Sequence, residues 1–191
     1  MLKFQNVSFS YEKGKKILSD FSFELRSGEI LAIMGESGCG KSTVLNLSAG
    51  LLKAQSGNIV SQAKKISYVF QDPRLFPWLT VVENIKAVSD LPDSEIIKIL
   101  DEMNLSDARD KYPNELSGGM KSRVSLARAL AYGGDLYLLD EPFAALDEEL
   151  REKLAVFLRN KIKADGASAL FVTHQRCDAD IMADRVLEMN A

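Results

Sequence analysis

The chain opens on an alternation of apolar and polar positions, Leu2 and Phe4, then Val7, Phe9 and Tyr11 after a one-residue change of phase. Beyond a turn at Lys13-Gly14-Lys15 the alternation returns at Phe21, Phe23 and Leu25, and Ser27-Gly28 punctuates it. A period of two with a turn between predicts half-exposed antiparallel strands. The pattern then changes. Ile30–Met34, Ile66–Phe70, Leu136–Leu139 and Ala169–Val172 are unbroken apolar runs, as expected of strands covered on both faces in a parallel sheet. Helical spacing follows at Val44, Leu45 and Leu47, and most clearly at Leu150, Leu154, Phe157, Leu158 and Ile162, with Glu, Arg and Lys on the opposite face. From Thr80 to Asp110 no run is strand-like. There Ile96, Ile97, Leu100 and Met103 sit at helical spacing between breaks at Pro92 and Pro113. A last short strand is expected at Val186–Met189. The fold predicted is α/β, with a mostly parallel central sheet, an antiparallel β margin at the N-terminus and an inserted helical segment.

Composition narrows the class. The 191 residues are 46% apolar and 27% charged, an ordinary globular balance that excludes disordered, collagen-like and disulfide-scaffold chains. That length predicts a single domain, 1–191. No apolar run approaches the roughly 20 residues that span a bilayer, and the polar, strand-like start is unlike a signal peptide, so a cytoplasmic chain is expected. With a net charge of -3 and no basic cluster, nucleic acid is not an expected partner. Cys39 and Cys177 read as free thiols. One histidine, His174, rules out chemistry that needs two imidazoles.

The candidate chemistry begins at Gly35-Glu36-Ser37-Gly38-Cys39-Gly40-Lys41-Ser42-Thr43, the phosphate-loop spacing of a glycine, four residues, then Gly-Lys-Ser. It lies between a buried strand and an apolar-periodic helix, the context that such a loop requires. Glycines let successive N–H groups turn inward onto phosphate oxygens, and the following helix adds the positive end of its dipole. Lys41 then supplies a cation to the β- and γ-phosphates, and the Ser42 hydroxyl suits Mg²⁺. Leu136–Leu139 runs into Asp140-Glu141. An apolar strand ending in Asp delivers a carboxylate to the open end of a parallel sheet, where ligands bind. Asp140 suits Mg²⁺, and Glu141 stands one residue further on, where it can orient a water.

Leu116-Ser117-Gly118-Gly119-Met120 resembles the signature motif of ATP-binding cassette (ABC) proteins, and it precedes Asp140-Glu141 as in that family. Tyr11, Gln71, Ala145-Leu146-Asp147 and Thr173-His174 stand where the family places its adenine-stacking aromatic, Q-loop, D-loop and switch histidine. On spacing alone Tyr11 suits an edge aromatic equally well, and Leu-Ser-Gly-Gly suits an ordinary helix cap. The resemblance covers essentially the whole chain and implies a P-loop NTPase fold. A RecA-like core with β margin would comprise residues 1–70 and 117–191, and a helical subdomain about 80–116. It implies MgATP held by Tyr11 and residues 35–43, with Ser42, Gln71 and Asp140 at the metal and Glu141, His174, Gln71 and Asp147 serving hydrolysis. Ser117, Gly118 and Gly119 would be offered in trans by a second copy in a head-to-tail dimer. Val69 to Val81, with its Phe76-Pro77-Trp78-Leu79-Thr80-Val81 stretch, is similar to the nitrate, sulfonate, taurine and thiamine-precursor importers. That implies a subunit peripheral on the inner face of the cell membrane. Its partners would be integral membrane permease chains and, through them, an extracytoplasmic substrate-binding protein. Leu75, Phe76 and Trp78 fit either a partner surface or packing inside the helical insertion. The sequence departs from the family in having Met120 where Gln is usual, a short stretch from Lys41 to Gln71 that suggests a missing or trimmed β-hairpin, and an early end. Two other classes share parts of this pattern: a soluble ABC ATPase of translation or DNA repair, and a P-loop small-molecule kinase, which has no use for the signature.

Overall fold

The computed structural model describes residues 1–12 and 16–189, so the expected Lys13-Gly14-Lys15 turn lies outside the described residues. Strands β1 (Leu2–Phe9) and β2 (Leu18–Leu25) pair antiparallel, with Leu2 opposite Leu25 and Phe4 opposite Phe23. The change of phase after Phe4 is a bulge. The register shifts between Phe4 and Val7, and Asn6 takes a left-handed φ of 50° that asparagine tolerates.

A third strand, β4 (Ser56–Ser61), pairs antiparallel with the other side of β1. The hydrophobic pattern did not announce it, because Ile59 is its one partly buried residue and the rest face solvent at the sheet edge. Gly57 is what lets it pass the bulge: a Cβ there would lie 2.3 Å from the Asn6 carbonyl oxygen.

The central sheet is wholly parallel. It is formed by β3 (Ile30–Met34), β5 (Ile66–Val69), β6 (Leu136–Asp140), β7 (Ser168–Thr173) and β8 (Arg185–Glu188), in the order β5-β6-β7-β3-β8. The apolar runs are continuous because the three inner strands face two cores. Leu31, Ile33, Leu136, Leu138, Leu170 and Val172 pack with the antiparallel sheet and helix α1 (Lys41–Ser48). Ile30, Ala32, Tyr137, Leu139, Ala169 and Phe171 meet the helices of the other face. The edge strand β8 begins one residue before the expected Val186, and its ends are exposed.

Between β5 and β6 the chain leaves the sheet. Helix α2 (Val81–Lys86) carries the reciprocal cap of Thr80 and Glu83, and α3 (Asp93–Glu102) starts after Pro92. Ile96, Leu100 and Met103 are buried as their spacing predicts, whereas Ile97 is turned outward. Fully buried Asn84 fixes the preceding loop by accepting from the Phe76 N–H (2.8 Å) and donating to the carbonyls of Phe76, Leu79 and Thr80. Single 3-10 turns at Ser106–Ala108 and Pro113–Glu115 lead into α4 (Gly118–Tyr132), which packs on α2, α3 and β5. Helices α5 (Glu148–Ala164) and α6 (Arg176–Met182) complete that face, with Leu154, Leu158 and Ile162 of α5 buried.

The outer edge of the sheet is clasped by Asp184. Its carboxylate accepts from the Ile30 N–H (2.9 Å), Arg159 Nη2 (2.8 Å) and Lys163 Nζ. Burial alone would raise the Asp184 pKa, but the hydrogen bonds from Lys163, Ile30 and Arg159 outweigh it and hold the pKa below the usual aspartate value. A depressed folded pKa means stability that is present above the unfolded value and lost as pH falls through the folded one. Asp184→Asn should therefore cost about 1.5–3 kcal/mol in urea unfolding at pH 7. The gap to the wild type should narrow as pH is lowered through the acid range; a pH-independent gap would assign the loss to packing instead.

Candidate functional site

The segments that follow β3, β5 and β6 open onto one cavity of about 330 Å³, with Tyr11 and Ile17 at its wall. The loop after β3 is tightly constrained. A Cβ on Gly35 would fall 2.4 Å from the Met189 carbonyl oxygen, and Gly40, at φ 105°, would meet Ile17 Cγ2 at 2.8 Å. Gly40 stands at the N-cap of α1 with no side-chain cap. The first amides of α1 are thereby left as donors for an anion. Lys41 is only 6% exposed, and its ammonium donates to the carbonyls of Gly35 and Glu36, each at 2.8 Å. Glu36 and Ser37 are exposed, Gly38 has φ 86°, and Cys39 is buried with its thiol turned inside the loop.

Asp140 ends β6 and accepts from the Ser42 hydroxyl at 3.1 Å. Burial pushes its carboxyl above the usual range and the Glu141 charge adds to this, while the Ser42 hydroxyl and Lys41 pull the other way. Glu141 holds a left-handed φ of 46°, a costly conformation for a non-glycine residue, secured by its N–H on the Val172 carbonyl (3.0 Å). That turn brings Glu141 Oε1 to 3.1 Å from His174 Nδ1, just after β7. Gln71, two residues beyond β5, is exposed and lines the cavity. Tyr11 completes the rim. Its hydroxyl lies 3.1 Å from that of Thr43, and its ring meets the ring of Phe9 edge-on at 5.0 Å.

The structure thus gathers Tyr11, Ser37, Gly38, residues 40–43, Gln71 and Glu141 around one opening, with Asp140 bonded to Ser42 and His174 to Glu141. It does not bring Ser117, Gly118, Gly119 or Asp147 there. Ser117 is exposed and caps α4, accepting from the Met120 N–H at 3.3 Å, so the cap reading holds locally. Asp147 is an N-cap too: its carboxylate accepts from the Leu150 N–H at 3.1 Å, and it does not line the cavity of its own chain. Trp78 is 70% exposed, whereas Leu75 and Phe76 are half-buried, so the aromatic stretch is divided between surface and packing.

Two contributors were not visible in the sequence pattern. Ile17 lines the cavity against Gly40, with only an apolar pair before β2 to suggest it. Asp178 is 3% exposed and accepts from the Thr173 hydroxyl at 3.3 Å, bracing the residue before His174. No spacing rule marks a carboxylate buried in the first turn of α6.

Comparison with known proteins gives these features a context. The family model described as ABC transporter matches residues 18–144. The nitrate import ATP-binding protein NrtC of Synechococcus elongatus is 42% identical over 186 residues, covering 89% of this chain and 28% of that protein. The aliphatic sulfonates import ATP-binding protein SsuB 1 of Pseudomonas savastanoi pv. phaseolicola is 40% identical over 180 residues, covering 93% of this chain and 76% of that protein. The chain therefore spans less than a third of the nitrate protein and about three quarters of the sulfonate protein. Among solved structures, the dimer of a bacterial ABC transporter cassette has a TM-score of 0.90 at 30% identity and covers 100% of this chain and 94% of its own. The same cassette in a dimeric post-hydrolysis state bound to ADP and Pi has a TM-score of 0.89, again at 30% identity, with 99% and 94% covered.

One test concerns the exposed start of α4. A Cβ on Gly119 would lie 2.7 Å from the Ala145 carbonyl oxygen, while one on Gly118 meets nothing within 4 Å. Gly119→Ala should destabilise by about 1–3 kcal/mol through forced separation of the two backbones. Gly118→Ala should be neutral or slightly stabilising. Thermal unfolding of the pair distinguishes a close backbone approach from a general need for glycine in the motif.

Proposed function

The chain belongs to the ABC transporter family, and on that premise we propose that it binds and hydrolyses ATP as one of a head-to-tail pair of cassettes, powering solute import through separate permease chains. The observation that carries this reading is the convergence of Lys41, the Ser42–Asp140 pair and the Glu141–His174 pair on one cavity. ATP phosphates would be met by the loop amides and by Lys41, whose ammonium exchanges two carbonyls for phosphate oxygens. The Tyr11 ring at the rim offers a stacking face for adenine.

The donor set suits Mg²⁺. A hydroxyl and a carboxylate, both hard oxygen ligands, leave the remaining positions to phosphate and water, as Mg²⁺ prefers. Ser42 and Asp140 would hold it with Gln71 nearby, and when bound it offsets charge between the β- and γ-phosphates. Among the described residues no cluster of three or more His, Cys, Asp or Glu offers an alternative metal site.

Glu141 is the group placed to orient and accept a proton from water, with His174 Nδ1 on one of its oxygens fixing its direction. His174 would also contact the γ-phosphate. Ser117 and Gly118 stand exposed and Gly119 half-buried at the start of a 15-residue helix, an anion site suited to a second copy's nucleotide. Asp147, beside that helix start, would lie at the same junction. The helical segment 80–116 is the subdomain that would receive the permease, with Trp78 at its border and a substrate-binding protein acting from beyond the membrane. No helix among the described residues is long and apolar enough to cross a membrane, which suits a peripheral subunit on the inner face.

Glu141→Gln should lower ATP turnover by about 10²–10⁴-fold, the range for loss of a general base, while nucleotide binding persists and an ATP-dependent dimer accumulates on gel filtration. Hydrolysis at the wild-type rate would remove Glu141 from this role. Lys41→Ala should weaken nucleotide binding by about 1.5–3 kcal/mol, read by isothermal titration. Purification of the tagged chain in mild detergent should recover multi-span membrane chains in fixed ratio. Recovery of only soluble partners would sink the transport reading.

A further inference from the structure

Both ends of the phosphate loop are glycines, Gly35 and Gly40, and both abut the same residue from the far end of the chain, Met189. Met189 follows the edge strand β8. Its N–H donates to the Met34 carbonyl at 2.7 Å, continuing the pairing of β8 with β3 beyond Glu188. Its own carbonyl oxygen would lie 2.4 Å from a Cβ on Gly35. Its side chain reaches the other end of the loop, where Cε would lie 3.1 Å from a Cβ on Gly40, beside Ile17 and Leu18. Met189 is buried in the core that also takes Cys39, Val44 and Leu45.

A core methionine is ordinary by itself, since its flexible thioether fills irregular gaps. Here, however, the main chain and the thioether of one residue touch the two glycines between which the loop amides are strung. Three of the six residues from Gly35 to Gly40 are glycine, so the loop supplies little stiffness of its own. Within it the Cys39 N–H reaches the Glu36 carbonyl at a long 3.3 Å. The Lys41 ammonium also ties the loop, through the carbonyls of Gly35 and Glu36 at 2.8 Å each. That tie is given up when the ammonium turns to phosphate. Met189 does not line the cavity, so its contacts persist while nucleotide is held.

We infer that Met189 is a positioning residue for the nucleotide: from behind the loop it fixes the distance between Gly35 and Gly40, so that the amides between them stay aimed at phosphate oxygens after Lys41 has let go. A loop already ordered in its binding shape loses less freedom when the ligand arrives, and that difference appears as affinity. The amides serve the bound substrate and the transition state alike, so the brace acts on KM and leaves kcat alone. This inference rests on the nucleotide binding proposed above.

The test uses the full chain and compares Met189→Ala with Met189→Leu, which keeps the volume, and with Leu158→Ala, a truncation in the core on the other face of the sheet. Leu158→Ala should lower the melting temperature at least as much as Met189→Ala, because its cavity is fully enclosed. By isothermal titration Met189→Ala should weaken ADP binding about tenfold. Met189→Leu should stay within about threefold of the parent, and Leu158→Ala within about twofold, since it is remote from the loop. Met189→Val, too short to reach Gly40, should fall between the leucine and alanine variants, and it replaces Met189→Ala if that chain does not fold. In steady state Met189→Ala should raise KM for ATP by a similar factor while kcat changes less than about twofold. Amide exchange without nucleotide should be faster at residues 36–42 in Met189→Ala and unchanged there in Leu158→Ala. An ADP affinity that simply follows melting temperature across the variants, a loss confined to kcat, or equal exchange at 36–42 in Met189→Ala and the parent would overturn the inference. If the parent chain binds no ADP, it is the nucleotide reading that falls, and the exchange comparison still decides whether Met189 braces the loop.

Discussion

Met34 pairs with Thr173, Asp140 with Val172 and Val69 with Leu139 in one parallel ladder, and this register is what the rest of the site depends on. All four strands run the same way, so all four end at one edge, and the residue that follows each is delivered to a common level. Gly35 follows Met34, His174 follows Thr173, Glu141 follows Asp140, and Gln71 lies two residues past Val69. A slip of one residue in any pair would turn a core-facing side chain toward the opposite face and carry the polar residue with it. The two cores on either side of the sheet prevent such a slip, since each inner strand must satisfy both.

Within that frame the polar groups of the cavity are mutually engaged. Lys41 rests on two carbonyls, Ser42 on Asp140, Glu141 against His174, and the Tyr11 hydroxyl against that of Thr43. Nucleotide binding at this cavity would thus be an exchange of partners and not a simple gain of contacts. The net affinity reflects the difference between internal and ligand hydrogen bonds, typically about 1 kcal/mol for neutral pairs and more where charge is involved. The same engagement keeps a buried ammonium and a buried carboxylate from standing unpaired, a situation that would cost far more. The strained turn at Glu141 fits this account: its cost is tolerated because the Val172 carbonyl and His174 hold both ends of the residue.

Helix α4 stands apart from this cavity and yet is joined to it. Its start is exposed and capped by Ser117, its middle is buried against α2, α3 and β5, and Arg128 reaches the segment after Gln71. Arg123 performs a similar service toward the insertion, donating to the carbonyls of Met103 (2.8 Å) and Asn104 (2.7 Å). Two arginines on one helix thereby bind the inserted segment and the Gln71 segment to the same rod. That arrangement ties segments distant along the chain to one helix.

Much of this was legible in the amino-acid order because the relevant physics is local. The phosphate loop needs glycines, a lysine and a hydroxyl at fixed spacing. The unbroken apolar runs of β3, β6 and β7 follow from burial on both faces, and the change of phase after Phe4 was a bulge written into the pattern. The polar edge strand β4 escaped notice because a strand with one solvent-facing side and one shallow contact leaves no periodic mark. The family position of Asp147 did not reveal that its carboxylate caps α5, nor could spacing show that Trp78 is exposed while Leu75 and Phe76 turn inward. The Glu141–His174 contact, the bracing of Thr173 by Asp178 and the grip of Arg128 on Pro73 and Arg74 join residues 33, 5 and about 55 positions apart. Sequence by itself determined which chemistry the chain carries and on which elements. Only the tertiary structure decided which groups meet, because strand register and helix packing bring together side chains whose separation along the chain carries no information about their distance in space.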